Sequence, residues 1–165
     1  MSEKYLLDAN VFIEAHRRYY AFDIAPSFWT TLQKLAEDEK IISIDRVKGE
    51  IIGSDQEDLL GKWANDSFSK WFMSTDDEKV FDAFGQVINW AQTNEQFHES
   101  AKSEFASVAD SWLVAYAKAY NLTVVTHEEF KREIKKRILI PNVCRAFEIP
   151  YINTFEMLRR LNARI

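Results

Sequence analysis

Cysteine occurs once in this 165-residue sequence, at Cys144, and histidine three times, at His16, His98 and His127. A single thiol excludes an internal disulfide, and the absence of Cys or His at metal-site intervals excludes a cysteine- or histidine-rich zinc centre. Glycine occurs four times and proline three times, too few for a low-complexity or loop-dominated chain. No apolar run approaches the ~20 residues needed to cross a bilayer. The N-terminal MSEKYLLDAN carries acidic residues early and lacks an apolar signal core, so a cytoplasmic protein without a membrane anchor is expected. A basic surplus is missing too: the formal net charge is −5, a poor starting point for a nucleic-acid binder.

What is present fits a single well-packed domain spanning 1–165, rich in helix. Hydrophobic residues make up 47%, aromatic residues 14% and charged residues 28%. The charge is unevenly distributed. Positions 131–165 hold nine Lys/Arg against three Asp/Glu, while the first 130 residues hold 12 against 23. The chain is acidic through most of its length and basic at its end.

Short apolar runs alternate with helical patterns. Tyr5-Leu6-Leu7, Ile41–Ile44, Leu122–Thr126 and Pro150–Asn153 read as strands. Ser27 is placed to cap a helix through Phe28, Trp29, Leu32, Leu35 and Ala36. Val47 and Ile51 mark another helix, with Glu50 beside their stripe. Several helices are expected from Asp55 to Asn94. One starts at Asp76-Asp77-Glu78 and buries Val80, Phe81, Phe84, Val87, Ile88 and Ala91. A longer helix is expected from about Ser103 to Tyr120, apolar round more than half its circumference. Thr154 is placed to cap a last helix through Phe155, Leu158 and Leu161. Apolar strands separated by helices imply a mostly parallel sheet of four or five strands, covered on both faces in an α/β/α arrangement.

Ligands of open α/β sheets bind beyond the carboxyl ends of the strands. Asp8 stands at that end of the first strand and Glu128 just past the Leu122–Thr126 strand. Asp110 falls inside the long apolar helix, with Ala106 and Val114 four residues to either side. There an unpaired carboxylate costs several kcal/mol unless a cation or donors meet it. Four carboxylates at one rim repel, and a divalent cation would relieve the conflict. An all-oxygen donor set suits a hard ion, Mg²⁺ or Mn²⁺. Structural roles compete at each position: a helix cap for Asp8, a solvated face for Glu50, bonds to Ser107 or Ser111 for Asp110, and a cap on a following helix for Glu128.

In order, Leu7-Asp8-Ala9-Asn10-Val11-Phe12-Ile13, Val47-Lys48-Gly49-Glu50-Ile51, Val108-Ala109-Asp110-Ser111-Trp112-Leu113-Val114-Ala115 and Val124-Val125-Thr126-His127-Glu128 resemble the motifs of PIN-domain nucleases, in particular the VapC-like toxin branch. The likeness spans roughly residues 5 to 155. It departs at Glu128, where the family more often has Asp.

The resemblance implies a three-layer PIN-like fold with a helical insert. It implies an endoribonuclease dependent on magnesium or manganese, acting as the toxin of a type II toxin–antitoxin pair, with water bound to the metal attacking the RNA phosphodiester. Asp8, Glu50, Asp110 and Glu128 would be the catalytic metal ligands, with Asn10 and Thr126 orienting them or the substrate. The expected partners are RNA and a cognate antitoxin protein, and the branch allows a homodimer. Alternatives are an RNA-processing or DNA-structure nuclease, or an inactive PIN-like binding module. Lys131, Arg132, Lys135 and Lys136 are the candidate phosphate-binding residues, weighed against an ordinary solvated surface. The tryptophans could stack on bases, but core packing is the stronger expectation.

Overall fold

In the computed structural model, which describes residues 3–52 and 58–165, the molecule is built outward from its first strand. Strand β1 (Tyr5–Leu7) is buried at every position, as are β2 (Ile41–Ile44) and β4 (Thr123–Val125). Successive side chains of a strand point to opposite faces, so burial at every position means both faces are covered. Two shorter strands, β3 (Phe72–Met73) and β5 (Tyr151–Ile152), lie at the edges. Among the described residues the five strands form one sheet in the order β3-β2-β1-β4-β5, every neighbouring pair parallel. The α/β/α arrangement read from the sequence is therefore the one observed.

The chain winds from β1 through β2 to β3 on one side, then crosses to β4 and β5 on the other. The winding direction thus reverses beside β1, and the crevice outside the carboxyl ends of β1 and β4 is the place such sheets offer a ligand. Leu7 pairs with Val125 at that rim, and the Asp8 N–H extends the ladder by donating to the Val125 carbonyl at 3.0 Å.

Helix α1 (Ala9–Glu14) starts at once after Asp8 and runs into a π-helical turn, Ala15–Tyr19. Helix α2 is Pro26–Glu37. Pro26 is its first residue, one place earlier than the expected Ser27 cap, because a fixed φ and a missing N–H suit a first helical position. Helices α3 (Asp45–Ile51) and α4 (Leu59–Asp66) follow. The helical stretch expected to begin at Asp55 starts outside the described residues. Helix α5 (Glu78–Thr93) is capped by Asp77, whose side chain accepts the Lys79 N–H. It buries Val80, Val87 and Ala91 as expected, but Phe81 is 47% exposed. Phe81 lies at the rim of the stripe and packs edge-on against Trp112, while Phe84 stacks flat on that indole at 3.8 Å.

The expected helix from Ser103 to Tyr120 is two helices, α6 (Glu99–Ser107) and α7 (Ala109–Tyr120), split by an extended Val108. Helix α8 (Ile140–Ala146) and α9 (Thr154–Arg160) complete the chain. Asn153, not Thr154, caps α9 by accepting the Glu156 N–H. The tryptophans pack: Trp29 is buried under Phe22, Trp63 stacks near Phe68, and Trp90 meets Phe97 and Phe147 edge-on. No helix of the described residues is long and apolar enough to cross a membrane.

Candidate active site

Asp8 is reached first, because it ends the central strand. Its backbone takes the N-cap position of α1, but its side chain makes no capping bond. It turns inward instead and is 2% exposed. Its Oδ2 accepts a hydrogen bond from the Thr126 hydroxyl at 3.0 Å, and the same hydroxyl oxygen accepts the Glu128 N–H at 3.1 Å. Thr126, expected as an orienting residue, thus couples Asp8, just past β1, to the loop that follows β4.

Glu50 stands near the end of α3 and reaches across to α7. Its Oε1 accepts the Ala109 N–H at 2.9 Å, so the carboxylate sits against the positive end of that helix. The extended Val108 makes this possible. In an unbroken helix the Ala109 N–H would bond to the carbonyl four residues earlier. The break also moves Asp110 from a helix interior to the first turn of α7, where a carboxylate is favoured. Ser111 bonds to the Val108 carbonyl rather than to Asp110. Glu128 is held by a third helix start: its Oε1 accepts the Ile140 N–H at 2.8 Å, and its Oε2 lies 3.7 Å from Arg137. Its competing role as a helix cap is therefore real, for a helix twelve residues further on.

Asp8, Glu50, Asp110 and Glu128 line one cleft of about 160 Å³, together with Asn10, Glu104, Val108 and Arg137. Burial pushes the Asp8 carboxyl up to about 7; the charges of Glu128 and Glu50 add to the rise, against the Thr126 hydrogen bond and the nearby Ala9 N–H dipole. Burial likewise raises Asp110, with Asp8, Glu128 and Glu50 adding and Arg137 opposing, to about 8. The buried Cys144 thiol is pushed up to about 12, chiefly by burial and then by Glu128 and Asp8, which places it behind the same cluster.

Donor chemistry fits a hard cation: the cleft is rich in carboxylate oxygens, lacks nitrogen or sulfur ligands, and keeps two acids at a cost their burial makes plain. As they stand, however, no three acidic, His or Cys side chains among the described residues are gathered closely enough to hold a metal ion. One oxygen each of Glu50 and Glu128 is already engaged by a backbone N–H, those of Ala109 and Ile140.

Most of the basic run lies outside the cleft. Lys131, Arg132, Lys135 and Lys136 are exposed on the loop between β4 and α8, and none lines the cleft. That loop is anchored by backbone atoms: Asn142 bonds to Lys131, Gln96 to the Arg132 and Ile134 carbonyls, and the His98 N–H to the Lys135 carbonyl. Arg137, the last member of the run, is the cation that turns in. Glu104 and Arg137 are the lining residues that the motifs did not single out. Glu104 was hidden by the unbroken-helix reading, and Arg137 by its membership of a charge run.

A family model described as a domain of unknown function, DUF4411, matches residues 5–165. The chain belongs to that family. Two solved structures share the architecture of this DUF4411 chain. A chain in the crystal structure of VapBC2 from Rickettsia felis, bound to a DNA fragment from its promoter, superposes with a TM-score of 0.55 at 18% identity, covering 90% of this chain and 97% of that one. A chain in the crystal structure of FitAcB from Neisseria gonorrhoeae gives 0.54 at 17% identity, covering 92% and 98%. At these identities the likeness establishes the fold, which is PIN-like. No curated protein sequence is significantly similar.

Proposed function

We propose that this DUF4411 chain is a divalent-metal-dependent endoribonuclease, the toxin of a type II toxin–antitoxin pair, with magnesium or manganese held by Asp8, Glu50, Asp110 and Glu128. The observation that carries the proposal is the convergence of four carboxylates from four distant segments in one cleft at the sheet's reversal point. The toxin assignment draws its support from the motif resemblance together with the fold shared with chains of VapBC2 and FitAcB.

The residues divide the work. Asp8, fixed by Thr126, is the central ligand, and Asp110, which no hydrogen bond among the described residues restrains, is free to turn toward the ion. Glu50 completes the main set from the N-terminus of α7. Glu128 is shared with Ile140 and Arg137 and serves a more distant position. When bound, the cation supplies charge to polarise a phosphate oxygen and to acidify water. Arg137, released from Glu128, can meet a phosphate oxygen, which a guanidinium does in bidentate fashion.

The test is cleavage of single-stranded RNA by the purified protein in Mg²⁺ or Mn²⁺. Cleavage stopped by EDTA and absent in Asp8→Asn supports the reading, and growth arrest by the wild type but not by Asp8→Asn supports the toxin role. The spacing of the carboxylates favours one competing reading, a PIN-like module that binds without cutting. That reading predicts no metal-dependent cleavage of any strand.

A further inference from the structure

Beside the carboxylate cleft lies a larger cavity of about 500 Å³, outside the carboxyl ends of β4 and β5 and lined in part by Tyr19, His127, Glu129, Phe130, Tyr151 and Phe155. A smaller space of about 240 Å³ joins the two. It shares Asn10, Glu128 and Arg137 with the cleft, and Tyr19, His127 and Glu128 with the larger cavity. The three form one groove, with Asp8, Glu50 and Asp110 at one end, Arg137 between Glu14 and Glu128 in the middle, and aromatic rings beside Glu129 at the other end.

The rings are held in place. The Phe155 ring meets Tyr19 edge-on at 5.7 Å and His127 at 6.1 Å. His127 Nε2 lies 3.0 Å from the hydroxyl of the buried Thr154, which fixes the imidazole plane. Tyr19 ends the π-helical turn after α1 and is 51% exposed despite these neighbours. It is a large aromatic surface left uncovered beside the site.

We infer that this aromatic cavity is a nucleobase-stacking subsite, which takes one unpaired base of single-stranded RNA while the adjoining phosphate lies at Arg137 and the carboxylates. The inference rests on the nuclease reading above and extends it to substrate selection. An aromatic face accepts any base by stacking, and unpaired bases are the ones splayed out far enough to enter. Continuity with the carboxylate cleft through Arg137 favours RNA over a protein segment as the occupant. The subsite makes Tyr19 and Phe155 residues that select an unpaired nucleotide, rather than a particular base, beside the cut.

The experiment uses full-length Asp110→Asn protein and a short single-stranded RNA carrying 2-aminopurine at successive positions, in EDTA and in Ca²⁺. Quenching is expected at one position. Tyr19→Ala should remove it and weaken binding roughly 5- to 150-fold, the range that corresponds to loss of one base stack, and Tyr19→Trp should restore both. An abasic residue at the same position should weaken wild-type binding equally and add nothing to Tyr19→Ala. Circular dichroism of Tyr19→Ala should match the wild type, as its exposure implies. Quenching that is absent, equal at all positions or indifferent to Tyr19→Ala overturns the subsite, even if RNA is cut. Position-specific quenching without any metal-dependent cleavage keeps the subsite and removes the nuclease reading. Loss of a co-purifying protein partner from Tyr19→Ala, with RNA binding unchanged, would assign the surface to protein docking and overturn the inference.

Discussion

A buried carboxylate that the fold does not neutralise is a stored cost, and Asp8 and Asp110 both carry one. Their carboxyls are raised to about 7 and about 8, so the folded protein keeps protons that the unfolded chain releases. The sign follows: below about pH 4 both states are protonated and the penalty is absent. As pH rises from about 4 the unfolded chain loses these protons first, so stability falls until the folded acids ionise too near pH 7 to 8, above which the penalty is complete and constant. Asp110→Asn removes one charge from the pair. In chelator at pH 8 it should raise the unfolding free energy on the order of 1–2 kcal/mol, with the gain vanishing near pH 4. Denaturant melts across that pH range measure it, and a variant less stable than wild type at pH 8 would refute it. The same variant should lose RNA cleavage by at least about a hundredfold, since each tenfold is only ~1.4 kcal/mol of transition-state stabilisation. Thr126→Val tests the coupling between strands. It keeps shape but leaves the Asp8 oxygen and the Glu128 N–H without their partner, so it should destabilise the protein by about 1–3 kcal/mol in denaturant melts.

At the scale of elements, three carboxylates are placed by helix starts. Glu50 meets the first N–H of α7, Asp110 stands in the first turn of that helix, and Glu128 meets the first N–H of α8. Glu50→Gln preserves the acceptor but not the charge, so its stability should stay within about 0.5–1 kcal/mol of wild type while metal-dependent cleavage is lost; thermal melts and cleavage assays read the two separately. How much was legible in the sequence follows the same lines. Buried strands betray themselves by continuous apolar runs, and β1, β2, β4 and β5 were placed within a residue or so of their observed bounds. The two-residue edge strand β3 has no periodicity to read. The break at Val108 was also illegible. Ser107 and Val108 are tolerated in helices, and the break is marked only by a tertiary contact, the Glu50 carboxylate accepting the Ala109 N–H from 59 residues away. The helix expected from about Ser103 to Tyr120 ran across that break, which is why Asp110 looked stranded in mid-helix. The conclusion that it needed a partner survives, because burial still raises its pKa.

For the whole molecule, the strand order makes a site out of residues scattered through the chain. A reversal beside β1 brings the ends of β1 and β4 together, and parallel strands send every carboxyl end to one rim. The net charge of −5 sharpens the consequence, since an acidic molecule with an acidic cleft repels phosphate until a cation intervenes. Metal binding should therefore stabilise the fold as well as enable chemistry. For a ligand that binds only the folded state, 100-fold excess over its dissociation constant adds about 2.7 kcal/mol. A cation held as proposed would displace protons from Asp8 and Asp110, so its effect should grow with pH. Manganese at saturation should raise the melting temperature of the wild type markedly at pH 8 and little at pH 5, while the Asp8→Asn, Asp110→Asn double variant stays flat at both. Differential scanning fluorimetry with matched calcium and zinc controls decides it. A manganese shift that is equal at the two pH values, or that persists in the double variant, would place the ion elsewhere on the molecule and leave the cleft without its proposed occupant.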